Sequence, residues 1–524
     1  MATDPFDSAG TTDEGSSCSA VAARDPGRPA IVTPAGAVLS FGALDARVNA
    51  ISHHLRALGL GTGDVVAAVV PNGAEYVELV LATAQVGMYL VPVNRHLAPP
   101  EIAFVVADSG AQVLVAGAGS VPGLPADALP RHRFTIGGAP AGCRPYAELG
   151  AGYPSSAPEG RTAGAVMAYT SGTTGRPKGV RRNLPGVPPE AALTRAQGLL
   201  LRYGARPGRG VHLVCSPMYH AAPGSHAVGF LHLGHTLVVQ DSFDAETFLR
   251  DVAEHGVRST HMVPTHFHRL LALPEATRRR YDTSTLKIVA HAGAPCPVDV
   301  KRRMLEEWGP VLWEYLGSTE GVVTLVSPQE WPAKPGTVGR PLPGTVVRIV
   351  RDDGTEAAAG EPGTIYFGVE GVPPSFSYHG DPQKTAESRR GNLVTAGDTG
   401  LVDDDGYVFL LDRRTDLVIT GGVNVYPAEV EQHLLTHPAV HDTAVVGLPD
   451  PEWGQSVLAV VQPAPGIVAD DALRAELDAH CRTGLAAFKR PRRIDFVADL
   501  PRTESGKLQR RRVRELFAEP LPDA

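Results

Sequence analysis

Tyr169-Thr170-Ser171-Gly172-Thr173-Thr174-Gly175-Arg176-Pro177-Lys178-Gly179-Val180 is the stretch on which the reading of this chain turns. It follows an apolar run, Ala165 to Ala168, that predicts a strand entering a loop. Glycines let the backbone approach a bulky anion and present its N–H groups, and the four hydroxyl side chains add further donors. Lys178 supplies a point charge suited to phosphate. The residue types therefore specify a polyphosphate site. The spacing is not that of a Walker loop, because Gly172 and Gly175 are too close together and Lys178 is followed by glycine.

Composition bounds what surrounds this loop. At 524 residues, with 43% hydrophobic and 20% charged residues, the chain reads as a globular protein with two or more cores. A net charge of −8 gives no reason to expect nucleic-acid binding. Only seven of the 48 basic residues are lysine, and two of these, Lys178 and Lys507, fall in motif positions. The five cysteines are scattered without a Cys-x-x-Cys pair, which fits a reducing cytoplasm. The most apolar window, Val77 to Val93, carries Glu78 and Gln85 and reads as a buried helix plus strand, so no membrane span is expected. Residues 1–20, rich in Ser, Thr, Asp and Gly, read as a disordered lead-in.

Outward from the loop, helical and extended signals alternate over residues 28–120 and again over 190–330, as in parallel α/β layers. Three predicted strands end in Ser216-Pro217-Met218-Tyr219-His220, Ala292-Gly293-Ala294-Pro295 and Leu316-Gly317-Ser318-Thr319-Glu320-Gly321. Open α/β sheets place ligands at such ends. From 336 to 411 glycine turns and alternating strands predict a small β subdomain. The remainder predicts a compact α+β domain of about 110 residues.

Taken together, these motifs resemble those of the adenylate-forming enzymes, the superfamily of acyl-CoA synthetases, peptide-synthetase adenylation domains and luciferases. The match is to the acyl-CoA synthetase branch and covers nearly the whole chain beyond the lead-in. The resemblance implies an α/β fold: a large N-terminal domain of two stacked α/β subdomains plus a small β subdomain (21–411), a hinge (412–417), and a compact mobile α+β C-terminal domain (418–524). It implies an ATP site built from Thr170, Ser171, Gly172, Thr173, Thr174, Gly175 and Lys178, from Gly293, Ala294 and Pro295, and from Leu316, Gly317, Ser318 and Thr319. Asp398 and Arg413 would hold the ribose, and Lys507 would meet the reacting oxygens. Lys507, Glu320 and Thr319 are the implied catalytic residues, with Thr170 and Glu320 holding Mg2+, which prefers hard oxygen ligands. His220, Tyr219, Leu316, Val322 and Gly422 are the candidates for contact with the acid and the incoming thiol.

The implied reaction is activation of a small or aryl carboxylic acid by ATP as an acyl-adenylate, then transfer to CoA. Nitrite in place of the acid with an aryl amine as acceptor, or a carrier protein in place of CoA, are the alternatives. The implied protein is cytoplasmic, binds no nucleic acid, and is compatible with a homodimer. Three positions depart from the usual pattern. Leu316 stands where relatives place an aromatic residue against adenine, Val322-Val323 follow Glu320-Gly321 where fatty-acid members have glycines, and Thr415 replaces Asp or Lys at the hinge. The branched pair predicts a shortened acid pocket.

Overall fold

The computed structural model describes residues 17–125, 128–170, 177–413, 416–420, 423–450, 453–503, 506 and 508–518. Two sheets dominate the N-terminal half. In the first, six parallel strands run in the order Arg144–Pro145, His132–Ile136, Val113–Gly117, Val65–Val69, Tyr89–Pro92, Ala165–Val166. Val65–Val69 is buried at every position, as its unbroken apolar run requires of a strand covered on both faces. In the second, seven strands run in the order Leu312–Glu314, Ile288–His291, Ser259–Met262, Val211–Val214, Thr236–Val239, Pro29–Val32, Val38–Ser40. All its pairings are parallel except the last.

One hydrophobic core joins the two sheets. Val66, Leu90 and Val113 of the first and Ile31, Val214 and Leu237 of the second pack on the helices Phe41–Ala57, Ala74–Ala84 and Ala221–His232. The helices between the sheets bury apolar side chains on both sides, which makes the two α/β units a stack. Ser40 caps Phe41–Ala57 by accepting from the Ala43 N–H at 3.2 Å. A second core, around Phe248, Phe267, Val289 and Leu312, lies under the other face of the seven-stranded sheet.

The β subdomain is an eight-stranded sheet that includes Thr345–Val350, Gly363–Val369, Asp398–Val402 and Val408–Arg413. Beyond it, Val418–Thr420 pairs with Val423–Val425, and Val440–Asp450, Gly454–Pro463 and Arg493–Phe496 form a separate sheet. This sheet packs on the helices Pro427–Leu435 and Asp471–Gly484 around its own core of Val430, Leu434, Val445, Val457 and Leu477.

Two expectations are corrected. The lead-in does not reach residue 20: Ser17 accepts from the Ala20 N–H at 3.1 Å and starts the helix Cys18–Arg24. The Cys18 N–H, in turn, donates to His232 Nδ1 at 3.0 Å, so tertiary contact orders a segment whose composition reads as polar and loose. The run Ala165 to Ala168 is also not one strand. Ala165–Val166 completes the six-stranded sheet, whereas Ala168–Thr170 leaves it to pair antiparallel with Lys178–Arg182.

Candidate active site

The strands on either side of the stretch read as a polyphosphate loop pair with each other, with Thr170 directly opposite Lys178 in register. Ser171, Gly172, Thr173, Thr174 and Gly175 lie outside the described residues, while Thr170 and Lys178 at its two ends line one large cleft. The hairpin base is fixed twice: the Tyr169 hydroxyl donates to Asp108 Oδ2 at 2.6 Å, and the Tyr89 hydroxyl donates to the Arg182 carbonyl at 2.5 Å. Lys178 is ion-paired with Asp381, which also accepts the Lys384 N–H at 2.8 Å and caps the helix Pro382–Glu387. The lysine ammonium holds the Asp381 carboxyl below its usual range.

Opposite the hairpin, Gly317 to Val322 folds into a tight turn. Gly317 bridges Val322, the Ser318 N–H donates to the Gly321 carbonyl at 2.9 Å, and the Gly321 N–H returns to Ser318 at 3.2 Å. Thr319 and Glu320 occupy the tip and line the cleft. Two side chains that sequence reasoning missed hold this tip. Arg182 donates to the Thr319 carbonyl at 2.7 Å and the Glu320 carbonyl at 3.3 Å, and Tyr378 donates its hydroxyl to Glu320 Oε1 at 2.7 Å. Arg182 follows the loop by two residues beyond Val180, and Tyr378 sits beside Val180 in the strand Phe376–Tyr378. Neither stands in a motif, so only the pairing of distant strands reveals them. Tyr378 fixes one carboxylate oxygen, and among the described residues the other makes no hydrogen bond, which fits a hard cation such as Mg2+.

Leu316, Gly317 and Ser318 line a narrow apolar pocket together with Val323, Phe367 and Asp398. Among the described residues the buried Ser318 hydroxyl has no hydrogen-bond partner, as expected of a group that a ligand completes. Thr395, Ala396 and Gly397 continue from this pocket into the large cleft. Asp398 is in register with Arg413 on the adjacent strand. Gly293 adopts φ +87° and, with Ala294, lines the cleft. Pro295, the next residue, is exposed.

Leu316 lines the narrow pocket beside Gly317 and Ser318. It packs against the β-subdomain core, while Tyr315, one residue earlier, is buried in the opposite direction with Leu200, Phe230 and Ala292. Consecutive residues of an extended segment point to opposite faces, so the two join different cores. Val322 packs with the Tyr315 group and lines the cleft, as do Tyr219 and His220. His220 is the N-cap of the helix Ala221–His232, its ring 4.5 Å from that of Tyr219. Deeper in the same cleft stand His226, His261 and Tyr315.

The C-terminal domain reaches the cleft through the turn around Gly506. Thr265 Oγ1 donates to the Gly506 carbonyl at 3.2 Å, and Arg502, forked onto Asp442 at 2.8 Å through both donors, donates to the same carbonyl at 2.8 Å. Gly506 adopts φ +77°, and a Cβ there would sit 2.7 Å from Thr265 Oγ1, so glycine is required on both counts. Lys507 and Gly422 lie outside the described residues.

Comparison with known proteins agrees with this arrangement. A family model described as AMP-binding enzyme matches residues 18–374, and one described as AMP-binding enzyme C-terminal domain matches residues 429–507. A feruloyl-CoA synthase from Amycolatopsis sp is 35% identical over 497 residues, covering 92% of this chain and 94% of the relative. Among solved structures, the o-succinylbenzoate CoA synthetase of Bacillus subtilis in complex with its acyl-adenylate intermediate superposes with a TM-score of 0.80 at 27% identity, over 97% of this chain and 99% of that one. An amide bond synthetase from Marinactinospora thermotolerans superposes with a TM-score of 0.80 at 28% identity, over 94% and 97%. The chain belongs to the AMP-binding enzymes, the superfamily that forms adenylates.

Proposed function

We propose that this chain is an ATP- and Mg2+-dependent acid–thiol ligase that activates a small or aryl carboxylic acid as its acyl-adenylate and passes the acyl group to CoA. The observation that carries this reading is the convergence in one cleft of the phosphate hairpin, the Thr319–Glu320 turn and the docked Gly506 turn. Thr170 and Glu320 would hold Mg2+, which when bound offsets the charge of the polyphosphate. The hairpin backbone and Lys178 would take the departing pyrophosphate, and Asp398 with Arg413 the ribose. Lys507, immediately after Gly506, would stabilise the oxygens between which AMP is transferred. Each term is electrostatic and fixed before the reaction, which suits a displacement at phosphorus with little covalent work for the protein. We place the domain boundary within 412–417 and the protein in the cytoplasm, with a homodimer as the assembly that light scattering would test. Among the described residues no helix is long and apolar enough to cross a membrane.

The test separates the two half-reactions. Carboxylic acids should drive pyrophosphate release, and addition of CoA should give thioester and AMP. Lys507→Ala should lower acid-dependent pyrophosphate release at least about a hundredfold while nucleotide binding persists, in line with loss of one transition-state contact. Pyrophosphate release with nitrite and an aryl amine, without CoA consumption, would replace this reading.

A further inference from the structure

One residue of the first α/β unit reaches across to the segment of the second that carries Tyr219 and His220. Asn72 follows the strand Val65–Val69 and precedes Gly73, the N-cap of the helix Ala74–Ala84. Its side-chain amide donates to the Ser216 carbonyl at 3.1 Å and to the Gln240 carbonyl at 3.0 Å. Its side-chain oxygen accepts the Met218 N–H at 2.8 Å. Ser216 and Gln240 stand just past the neighbouring parallel strands Val211–Val214 and Thr236–Val239, where the ladder ends and carbonyls need new partners. Met218 leads directly into Tyr219 and His220, which line the cleft and precede the helix Ala221–His232.

The donor and acceptor inventory explains why this position takes asparagine. An amide offers two N–H donors and one oxygen acceptor, and Asn72 uses both donors on carbonyls and its oxygen on an N–H. Turned over, it would set its oxygen against two carbonyl oxygens and its N–H groups against the Met218 N–H, so one orientation alone fits. The three partners lie on two strand ends and a loop, so the side chain fixes that loop relative to the sheet. A second contact from the same unit meets the same segment. A Cβ added at Gly224 would lie 2.6 Å from the Tyr76 hydroxyl oxygen and 2.5 Å from the Met218 carbonyl oxygen. Met218 is thus held at its N–H by Asn72 and packed at its carbonyl against the start of the helix. The segment is also a tight unit in itself. The His220 N–H donates to the Pro217 carbonyl at 3.2 Å, and the Gly224 N–H donates to the His220 carbonyl at 3.1 Å. Fixing Met218 therefore fixes the two residues that follow it.

We propose that Asn72 is a positioning residue for the acid: by holding Met218 it sets where Tyr219 and His220 stand, and so how tightly the acid binds. The inference rests on the ligase reading above, in which Tyr219 and His220 face the acid. It adds a residue of the other α/β unit on which that pocket depends. The nucleotide candidates lie on other segments, namely the Thr170–Lys178 hairpin, Gly293-Ala294 and the Gly317–Val322 turn. Loss of the Asn72 amide therefore acts on the acid and spares ATP. A small displacement of a positioning group is enough for a measurable effect, because contacts that orient a substrate depend steeply on distance.

The experiment is pyrophosphate release by the full-length enzyme, with KM measured separately for the acid and for ATP. The acid is whichever of acetate, benzoate and cinnamate the wild type turns over fastest. Asn72→Ala should raise the KM for the acid roughly five- to thirtyfold and change the KM for ATP less than about twofold, as for loss of a partner to buried polar groups. Asn72→Asp keeps an acceptor for the Met218 N–H but lacks both donors, and should shift the acid KM in the same direction. Melting temperatures are measured beside both variants. A residue that served stability alone would lower the melting temperature and leave both KM values in place. An unchanged acid KM in Asn72→Ala, or acid and ATP KM values rising in equal proportion, would overturn the inference and leave the ligase reading intact. Failure of both variants to fold would assign Asn72 to the fold and overturn the inference as well. No pyrophosphate release by the wild type with any of the three acids would overturn both readings.

Discussion

Glu320 owes its usefulness to a neighbour rather than to its own position. A glutamate on a turn tip has several rotamers, and fixing one of them costs conformational entropy that a metal would otherwise have to overcome. Tyr378 removes that cost by donating to Oε1 before any ligand arrives, while Arg182 holds the carbonyls on either side of the Thr319–Glu320 bond. Tyr378→Phe keeps the packing of the buried ring and deletes only the hydroxyl. The KM for ATP should rise about three- to tenfold with a smaller change in kcat, the range expected for one hydrogen bond to a charged group; an unchanged KM would show that Glu320 is held by other means. The buried histidines make a different kind of prediction. Burial lowers His226 and His235 to about 4 and His266 to about 3, so the folded protein stays neutral at these positions while the unfolded chain takes up protons near pH 6.5. Below that value the unfolded state binds more protons than the folded one, so stability falls as pH drops from 6.5 toward 4. Each such histidine costs about 2 kcal/mol at pH 5. Thermal melts between pH 7.5 and pH 5 should show the melting temperature dropping by several degrees, and a flat profile would contradict the neutral assignment.

At the scale of elements, one short strand serves both charged ends of the phosphate site. Phe376–Tyr378 pairs antiparallel with Lys178–Arg182, so Tyr378 meets Glu320 while Asp381, at the following helix start, meets Lys178. If Lys178 takes phosphate as proposed, Asp381 must give up or share its ammonium. Asp381→Asn retains an oxygen to cap Pro382–Glu387 and removes only the competing charge. The KM for ATP should fall about two- to fivefold, as for a partly exposed ion pair. A rise instead would show that Asp381 serves to aim the lysine. The strand ends and the alternation of the sheets were legible in the sequence because each is a local pattern of apolar runs and turn residues. The partners Arg182, Tyr378 and Asp381 were not. Lys178 and Asp381 are about 200 residues apart, and no local signal in Tyr378-His379-Gly380-Asp381 says which strand it will lie beside. Leu316 shows the converse limit. Its place in a motif was clear, yet which core it and Tyr315 each pack into depends on the phase of one irregular segment, which periodicity over so few residues does not fix. The ordered helix at Cys18 was missed for the same reason, since His232, which anchors it, is on another element.

For the whole molecule, the decisive contact is between its two halves. The C-terminal domain has its own core and meets the N-terminal cleft through the turn at Gly506, held by Thr265 from one side and Arg502 from the other. A domain that delivers a lysine for one half-reaction and withdraws it for the next needs a contact that is specific in shape but small in area. Gly506 supplies the shape: the left-handed backbone and the 2.7 Å approach to Thr265 Oγ1 admit no side chain. Gly506→Ala would therefore act on this docked arrangement and not on the folding of either half. Acid-dependent pyrophosphate release should fall about ten- to a hundredfold, because a displacement of about 1 Å in a reacting group is enough for a loss of that size. If the C-terminal domain alternates as proposed, thioester formation from supplied acyl-adenylate and CoA takes place with the turn away from this position, and its rate should change far less. Measuring the two half-reactions separately on the variant, with the melting temperature as a check on folding, distinguishes the outcomes. Equal loss in both would mean that Gly506 supports the C-terminal domain as a whole, whereas selective loss of the first ties the close approach at Thr265 to adenylation.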